Sequence, residues 1–298
     1  MKMKKNNLLY KVFLMIIGIN LFVIVSQAPS QTINKELLLK GVLYSQSLIK
    51  DAQCRYVSQN FFKNDWRTIL EMEWAYKPGK SFLKGKAYGY LEGKKELVED
   101  IAYIFNGVNG YSIGYENGKV IGVTMQNRER VEKLFGKVPP EALFLRFWPL
   151  GIELQQILSD PALKLLPDRE SVEGSSCYVA HLESVTGSLN PQNGYKIWLD
   201  PEKGFLPRKI EIYYSGKLKT VLGPITLSNF GNNLWFPTGA KITTFSPDFP
   251  QGNIGRVIYE DIRINQNLGD EKFTPVFEPG TKIYDSALGI SYTIPAAK

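Results

Sequence analysis

The side chains that could do chemistry are few. His181 is the single histidine of the chain, so a two-histidine metal motif cannot be written. Cys177 precedes it by four residues, a spacing that would bring the two together on a helix, but both fall in a segment that reads as a strand. There four residues span roughly 13 Å, too far for one metal at about 2 Å from each ligand or for a thiolate hydrogen bond. Glu71 and Glu73 point to one face of another strand and lie roughly 7 Å apart, a separation that paired glycosidase carboxylates use. The same face carries Arg67 and reads as solvated, which favours a structural role over catalysis. Neither a nucleophile elbow, a phosphate-cradling glycine loop, a dinucleotide fingerprint nor a calcium loop is present in the sequence. The expectation is a protein without catalytic residues, metal or cofactor. Cys54 and Cys177 both sit in strand-like segments and could be bridged in an oxidising compartment, or could be two small buried hydrophobes.

The N-terminus supplies the compartment. Lys2, Lys4, Lys5 and Lys11 precede an apolar run from Val12 to Val25, broken only by Gly18 and Asn20. That run is short of the roughly 20 residues a membrane-crossing helix needs, and Ser26-Gln27-Ala28 follows as a small-residue cleavage site. We read residues 1–28 as a signal peptide and residues 29–298 as a single periplasmic domain. The alternative is an uncleaved anchor in the inner membrane, with the domain facing the periplasm. The formal charge of +7 includes those four lysines, so the remainder is near +3, without the dense basic stripe of a nucleic-acid binder. Nucleic acid is therefore set aside as a partner.

The elements that would position a site alternate in period. Residues 35–49 form an amphipathic helix, with Asn34 as N-cap and Leu38, Val42, Leu43 and Ile49 on one face. From Trp66 to Tyr76 the even positions are apolar or threonine, while the odd ones include Arg67, Glu71 and Glu73, as in a half-buried antiparallel strand. Pro78-Gly79, Glu92-Gly93-Lys94, Asn109-Gly110 and Glu116-Asn117-Gly118-Lys119 punctuate a meander. A greasy helical insert follows Pro139-Pro140, broken near Trp148-Pro149, and a second amphipathic stretch runs from Ile152 to Leu158. Strands return at 176–185, 195–199, 206–214, 218–227, 234–245 and 256–264. The fold class is mainly β (α+β): a single curved antiparallel sheet, or unclosed half-barrel, of about ten strands with helices covering its concave face.

The run Tyr195-Lys196-Ile197-Trp198-Leu199-Asp200-Pro201-Glu202-Lys203-Gly204-Phe205-Leu206-Pro207-Arg208-Lys209-Ile210-Glu211-Ile212, a strand, an Asp-Pro turn and a returning strand, resembles the LolA/LolB-like lipoprotein-carrier superfamily. The segments 234–238 and 277–285 are similar to stretches of outer-membrane lipoprotein-sorting proteins. The resemblance implies an unclosed barrel whose apolar interior receives the acyl chains of a lipid or lipoprotein. It covers most of the chain, yet rests on turns and strands, so it speaks for fold more than for activity. Burying about 14 methylenes at about 0.8 kcal/mol each yields on the order of 11 kcal/mol before association costs, so such a site needs no polar motif. Leu70, Met72, Trp74, Tyr76, Ile101, Tyr103 and Phe105 are the candidate wall of the cavity, and Leu143, Phe144, Phe147 and Trp148 its lid. Plain core packing is the competing reading of each. The expected partners are lipid or lipoprotein acyl chains, with transient membrane contact, on a monomeric protein. A second reading is an envelope sensor or scaffold that uses the same fold to bind a protein partner.

Overall fold

Alternating side chains and tight turns make strands, and strands with one apolar face must pair into a sheet that buries it. The computed structural model describes residues 33–127, 154–183 and 193–296. A first meander comprises β1 (Ala52–Phe62), β2 (Asp65–Lys77), β3 (Lys80–Leu91), β4 (Lys94–Phe105), β5 (Asn109–Glu116) and β6 (Lys119–Asn127). A second comprises β7 (Lys164–Leu165), β8 (Glu170–Val172), β9 (Ser175–Leu182), β10 (Asn193–Asp200), β11 (Leu206–Tyr214), β12 (Lys217–Asn229), β13 (Trp235–Ser246) and β14 (Phe249–Ile264). The short strands β15 (Lys282–Asp285) and β16 (Ile290–Thr293) follow. Two helices are described, α1 (Lys35–Ser47) and α2 (Leu154–Ser159).

All sixteen strands belong to one unclosed sheet, in the order β16-β15-β6-β5-β4-β3-β2-β1-β14-β13-β12-β11-β10-β9-β7, with β8 on β9. The two meanders meet where β1 pairs with β14, from Ala52↔Ile264 to Asn60↔Gly255. Among the described strands, only β15 runs parallel to its neighbour, β6. The count of about ten is thus too low. The additional strands include β7, β8, β15 and β16, of two to four residues each, too short to show a period.

Two turns differ from or refine the sequence reading. Asn109-Gly110 is not a hairpin apex but the start of β5; the turn is built one step earlier by Asn106, whose Oδ1 accepts from the amides of Val108 (2.9 Å) and Asn109 (2.8 Å). The Asp-Pro turn behaves as read. Asp200 caps a 3₁₀ turn by accepting from the Glu202 amide at 3.0 Å, and Gly204 closes it at φ 67°, a left-handed conformation that suits glycine.

α1 is tied to both meanders. Leu38 and Val42 are fully buried; Ser45 Oγ donates to the Gly204 carbonyl at 2.8 Å, and Lys35 Nζ to the Pro161 carbonyl at 2.9 Å. Leu48 and Ile49, just past the helix, pack on the β1–β2–β14 core. Leu43, expected on the buried face, is exposed. Asp51 then fixes the corner, its carboxylate accepting from the amides of Gln266 and Asn267, each at 2.9 Å.

Both faces of the first meander are used. On one, Cys54, Met72, Trp74 and Leu83 pack with Phe236 and Ile264. On the other, Ala102, Ile104, Ile113 and Val123 are covered by Phe277, Ile283 and Ile294 of the C-terminal segment. At about 1.5–3 kcal/mol per buried aliphatic side chain, this second cluster is sufficient to hold that segment down. We call the face carrying Met72 and Trp74 the inner face, and its opposite the outer face.

Candidate functional site

Cross-strand register sets which candidate wall residues are neighbours. Three rows cross β2, β3, β4 and β5: Met72–Gly85–Ile101–Gly114, Trp74–Leu83–Tyr103–Ser112 and Tyr76–Ser81–Phe105–Gly110. The register therefore puts Met72, Trp74, Tyr76, Ile101, Tyr103 and Phe105 on the inner face, and Leu70 packs against the same core. They differ in what they have left to offer. Met72, Trp74 and Phe105 are buried, whereas Leu70, Tyr76, Ile101 and Tyr103 are half-buried. The glycine under Met72 is obligatory, because a Cβ at Gly85 would stand 2.4 Å from Met72 Cγ.

The wall borders a stretch of small residues that the sequence reading missed. On β5 the inner positions are Gly110, Ser112 and Gly114, and their β6 partners are Gln126, Thr124 and Gly122. A Cβ added at Gly122 would meet no atom within 4 Å. Large side chains thus give way to small ones, with open space at Gly122, while a Cβ at Gly114 would touch the Ile121 side chain at 3.5 Å. The signal was in plain view as alternating Gly110, Ser112 and Gly114 between large residues. It escaped because small residues carry no weight in an apolar-period reading.

The inner face is also a low-dielectric environment. Burial pushes the Cys54 thiol up to about 12, raises the Tyr56 phenol and drives Tyr259 well above the ordinary tyrosine value. Tyr56 and Tyr259 meet edge to face with ring centroids 5.5 Å apart.

One irregularity changes the strand reading. Ser58 pairs with Leu70 but Gln59 with Thr68, so Ile69 is an extra residue in β2. A bulge of one residue transposes everything beyond it to the other face. Trp66 and Thr68 accordingly leave the inner face: Gln59 Nε2 donates to Thr68 Oγ1 at 3.1 Å, and the Arg256 guanidinium lies 4.2 Å from the Trp66 ring centroid. Arg67 leaves the Glu71 face in turn and stacks on Phe62 and Tyr90.

The two glutamates are ion-paired. Glu71 lies 3.3 Å from Arg55 and 3.2 Å from Lys95. Burial alone would raise its pKa, but the hydrogen bonds and charges of Lys95 and Arg55 outweigh it and hold the carboxyl below its ordinary value. Glu73 pairs with Lys272 of the C-terminal segment. Both border a charged outer-face cavity of about 650 Å³ that also carries Lys84, Lys86, Asp100 and Arg263.

His181 and Cys177 do not form a site. The register places His181 between Lys164 and Lys196, while Cys177 is buried with Val172, Val179 and Trp198. Cys54 and Cys177 are both free. The disulfide is therefore not formed; each thiol belongs to a different apolar cluster. Among the described residues no group of three His, Cys, Asp or Glu side chains could hold a metal ion. Nor is any helix among them long and apolar enough to cross a membrane. The lid residues Leu143, Phe144, Phe147 and Trp148, and the signal segment 1–28, lie outside the described residues.

The chain is a mainly β protein built on one unclosed sheet. No family profile matches its sequence, and neither does any curated protein. Solved structures similar to it include a putative outer membrane lipoprotein-sorting protein domain from Vibrio parahaemolyticus, with 14% identity over 81% of this chain and 97% of that one, at a TM-score of 0.47. A LolA superfamily protein from Nitrosomonas europaea is 15% identical over 82% of this chain and 99% of that one, at 0.46. A DUF1329 family protein from Desulfovibrio piger is 14% identical over 80% and 96%, at 0.42. These neighbours include the group that the Tyr195–Ile212 segment resembles. With TM-scores below 0.5, no ligand or partner is carried over from them.

Proposed function

We propose that the chain is an exported envelope protein that holds the acyl chain of a lipid or lipidated protein on the inner face of its sheet, without catalysing a reaction. The observation that carries this reading is the junction of a half-buried apolar wall, Tyr76, Ile101 and Tyr103, with the small residues Ser112, Gly114 and Gly122, open at Gly122 where a Cβ would meet no atom. A plain core would fill that surface, since interiors close-pack and an apolar void forfeits contact energy. In this reading Leu70, Tyr76, Ile101 and Tyr103 touch the ligand, while Met72, Trp74 and Phe105 support them from within the core. In the same reading helix α1 covers part of this face and the N-terminal segment delivers the domain to the periplasm.

The test fills the space. Native mass spectrometry of protein purified from the cell envelope should show acyl-bearing adducts. Gly122→Phe, which places a ring where a Cβ meets nothing, should remove them while leaving the unfolding temperature unchanged. Ligand-free wild-type protein, or adducts indifferent to the substitution, would overturn the reading. Crosslinking in cells separates a carrier, which traps several lipidated proteins, from a sensor, which traps a single partner.

A further inference from the structure

The outer face carries a second apolar feature, on the side of the sheet away from the candidate wall. β1 alternates without interruption, so Arg55, Gln59 and Phe61 share the face opposite to Cys54 and Tyr56. The bulge at Ile69 brings Trp66 to that same face, where Phe61 and Trp66 lie with ring centroids 5.2 Å apart. Beside them a groove of about 560 Å³ is lined by Phe61, Trp66, Pro224, Gly239 and Ile254. It crosses five neighbouring strands, β2, β1, β14, β13 and β12, a span of roughly 19 Å at the usual strand spacing of about 4.8 Å. That suits an extended alkyl chain. The groove exists because Gly239 and Pro224 put no long side chain into the space that Trp66 and Phe61 wall off.

Two cations stand at this groove. Lys241 and Arg256 are register partners on β13 and β14, and both line it. Arg256 donates from Nε to Gln59 Oε1 at 2.6 Å and stacks on Trp66, which fixes its planar guanidinium in place. Neither Arg256 nor Lys241 has an acidic partner among the described residues, in contrast with Arg55, which pairs with Glu71 and Glu260 on the same face. An apolar trough with two adjacent positive charges unmatched by carboxylates fits a ligand that is apolar along its length and anionic at one end.

We propose that this outer-face groove binds an amphiphile consisting of one alkyl chain and an anionic head, a carboxylate or a phosphate, with Arg256 and Lys241 receiving the head. The site is separate from the inner-face hollow and does not depend on the inner-face reading.

The test uses 11-(dansylamino)undecanoic acid as a fluorescent probe on the purified protein, with dodecanoate, dodecyl phosphate and dodecanol as competitors. Saturable binding should be displaced by the two anionic competitors at concentrations about tenfold lower than by dodecanol, the factor that one charge-assisted contact supplies. The stronger of the two identifies the head as carboxylate or phosphate. Lys241→Gln, at an exposed position, should weaken the anionic competitors and leave dodecanol unchanged; Arg256→Gln should do the same. Thr226→Trp, an exposed groove residue, should abolish the site by filling it. Absence of saturable binding, equal displacement by dodecanol, or binding untouched by Thr226→Trp would overturn the proposal. Binding removed by Gly122→Phe and untouched by Thr226→Trp would sink the groove while sparing the inner-face hollow. The reverse pattern would establish the groove alone.

Discussion

Gly41 sits in the middle of α1, where alanine would ordinarily stabilise the helix by about 1 kcal/mol. Here a Cβ would stand 2.1 Å from Cδ2 and 2.6 Å from Cε2 of Phe205, the residue that follows the Asp200–Gly204 turn. Overpacking of that kind costs about 1–3 kcal/mol, so Gly41→Ala should be destabilising by about 0–2 kcal/mol despite its better helix propensity. The informative experiment is the double-mutant cycle with Phe205→Gly. Phe205 occupies φ 57°, a conformation glycine adopts freely, and its amide keeps the 2.8 Å bond to the Asp200 carbonyl without a side chain. In that background the clash is gone and Gly41→Ala should stabilise by about 1 kcal/mol, which reverses its sign and gives a coupling of about 1–3 kcal/mol. Urea unfolding reads the difference directly, and thermal unfolding as about 2–4 °C per kcal/mol. If Gly41→Ala stabilises equally in both backgrounds, α1 does not dock on the turn as described.

Other consequences can be measured independently. Lys80 and Lys77 hold the Asp270 carboxyl at a pKa of about 2, against about 3.9 in an unfolded chain. A depressed folded value means that its contribution is present above about pH 4 and fades as the pH falls toward 2; hydrogen exchange around residues 270–273 should rise over that window, and in Asp270→Asn should be raised already at neutral pH. Asp51→Ala leaves the amides of Gln266 and Asn267 without their carboxylate and should cost about 3 kcal/mol in urea unfolding, at about 1.5 kcal/mol per lost charge-assisted bond. Unchanged stability would show that the corner is held by other contacts. Burial puts the Cys54 and Cys177 thiols at about 12 and about 11, so neither should react with a thiol reagent at pH 8 in the folded state and both should in denaturant. A single slow thiol, or none after unfolding, would contradict two free buried cysteines.

The β character, most strand positions and the Asp200–Gly204 turn are legible in the sequence because alternation and turn chemistry act over a few residues. Lys35–Ser47 is legible as a helix for the same reason, and Met72 and Trp74 share one face because β2 beyond Ile69 alternates without interruption, while Tyr103 joins them through the Trp74–Leu83–Tyr103 register. The face of Trp66 was misassigned because a bulge is a property of a strand pair: nothing in 65–77 alone says that Gln59 will skip Ile69 to meet Thr68. The four shortest strands were invisible for a related reason, since two to four residues acquire strand conformation only from a partner already in place.

What the sequence by itself determined was local: which segments extend, where they turn and which side chains are apolar. Tertiary structure decided the rest. It joined β1 to β14 across about two hundred residues, laid the C-terminal segment over Ile104 and Val123, and paired Glu71 with Arg55 and Lys95. It also set Gly122 opposite Gly114 with open space where a Gly122 side chain would stand. Such a space belongs to no residue; it exists only when several strands are in register, and register is fixed by packing across the sheet.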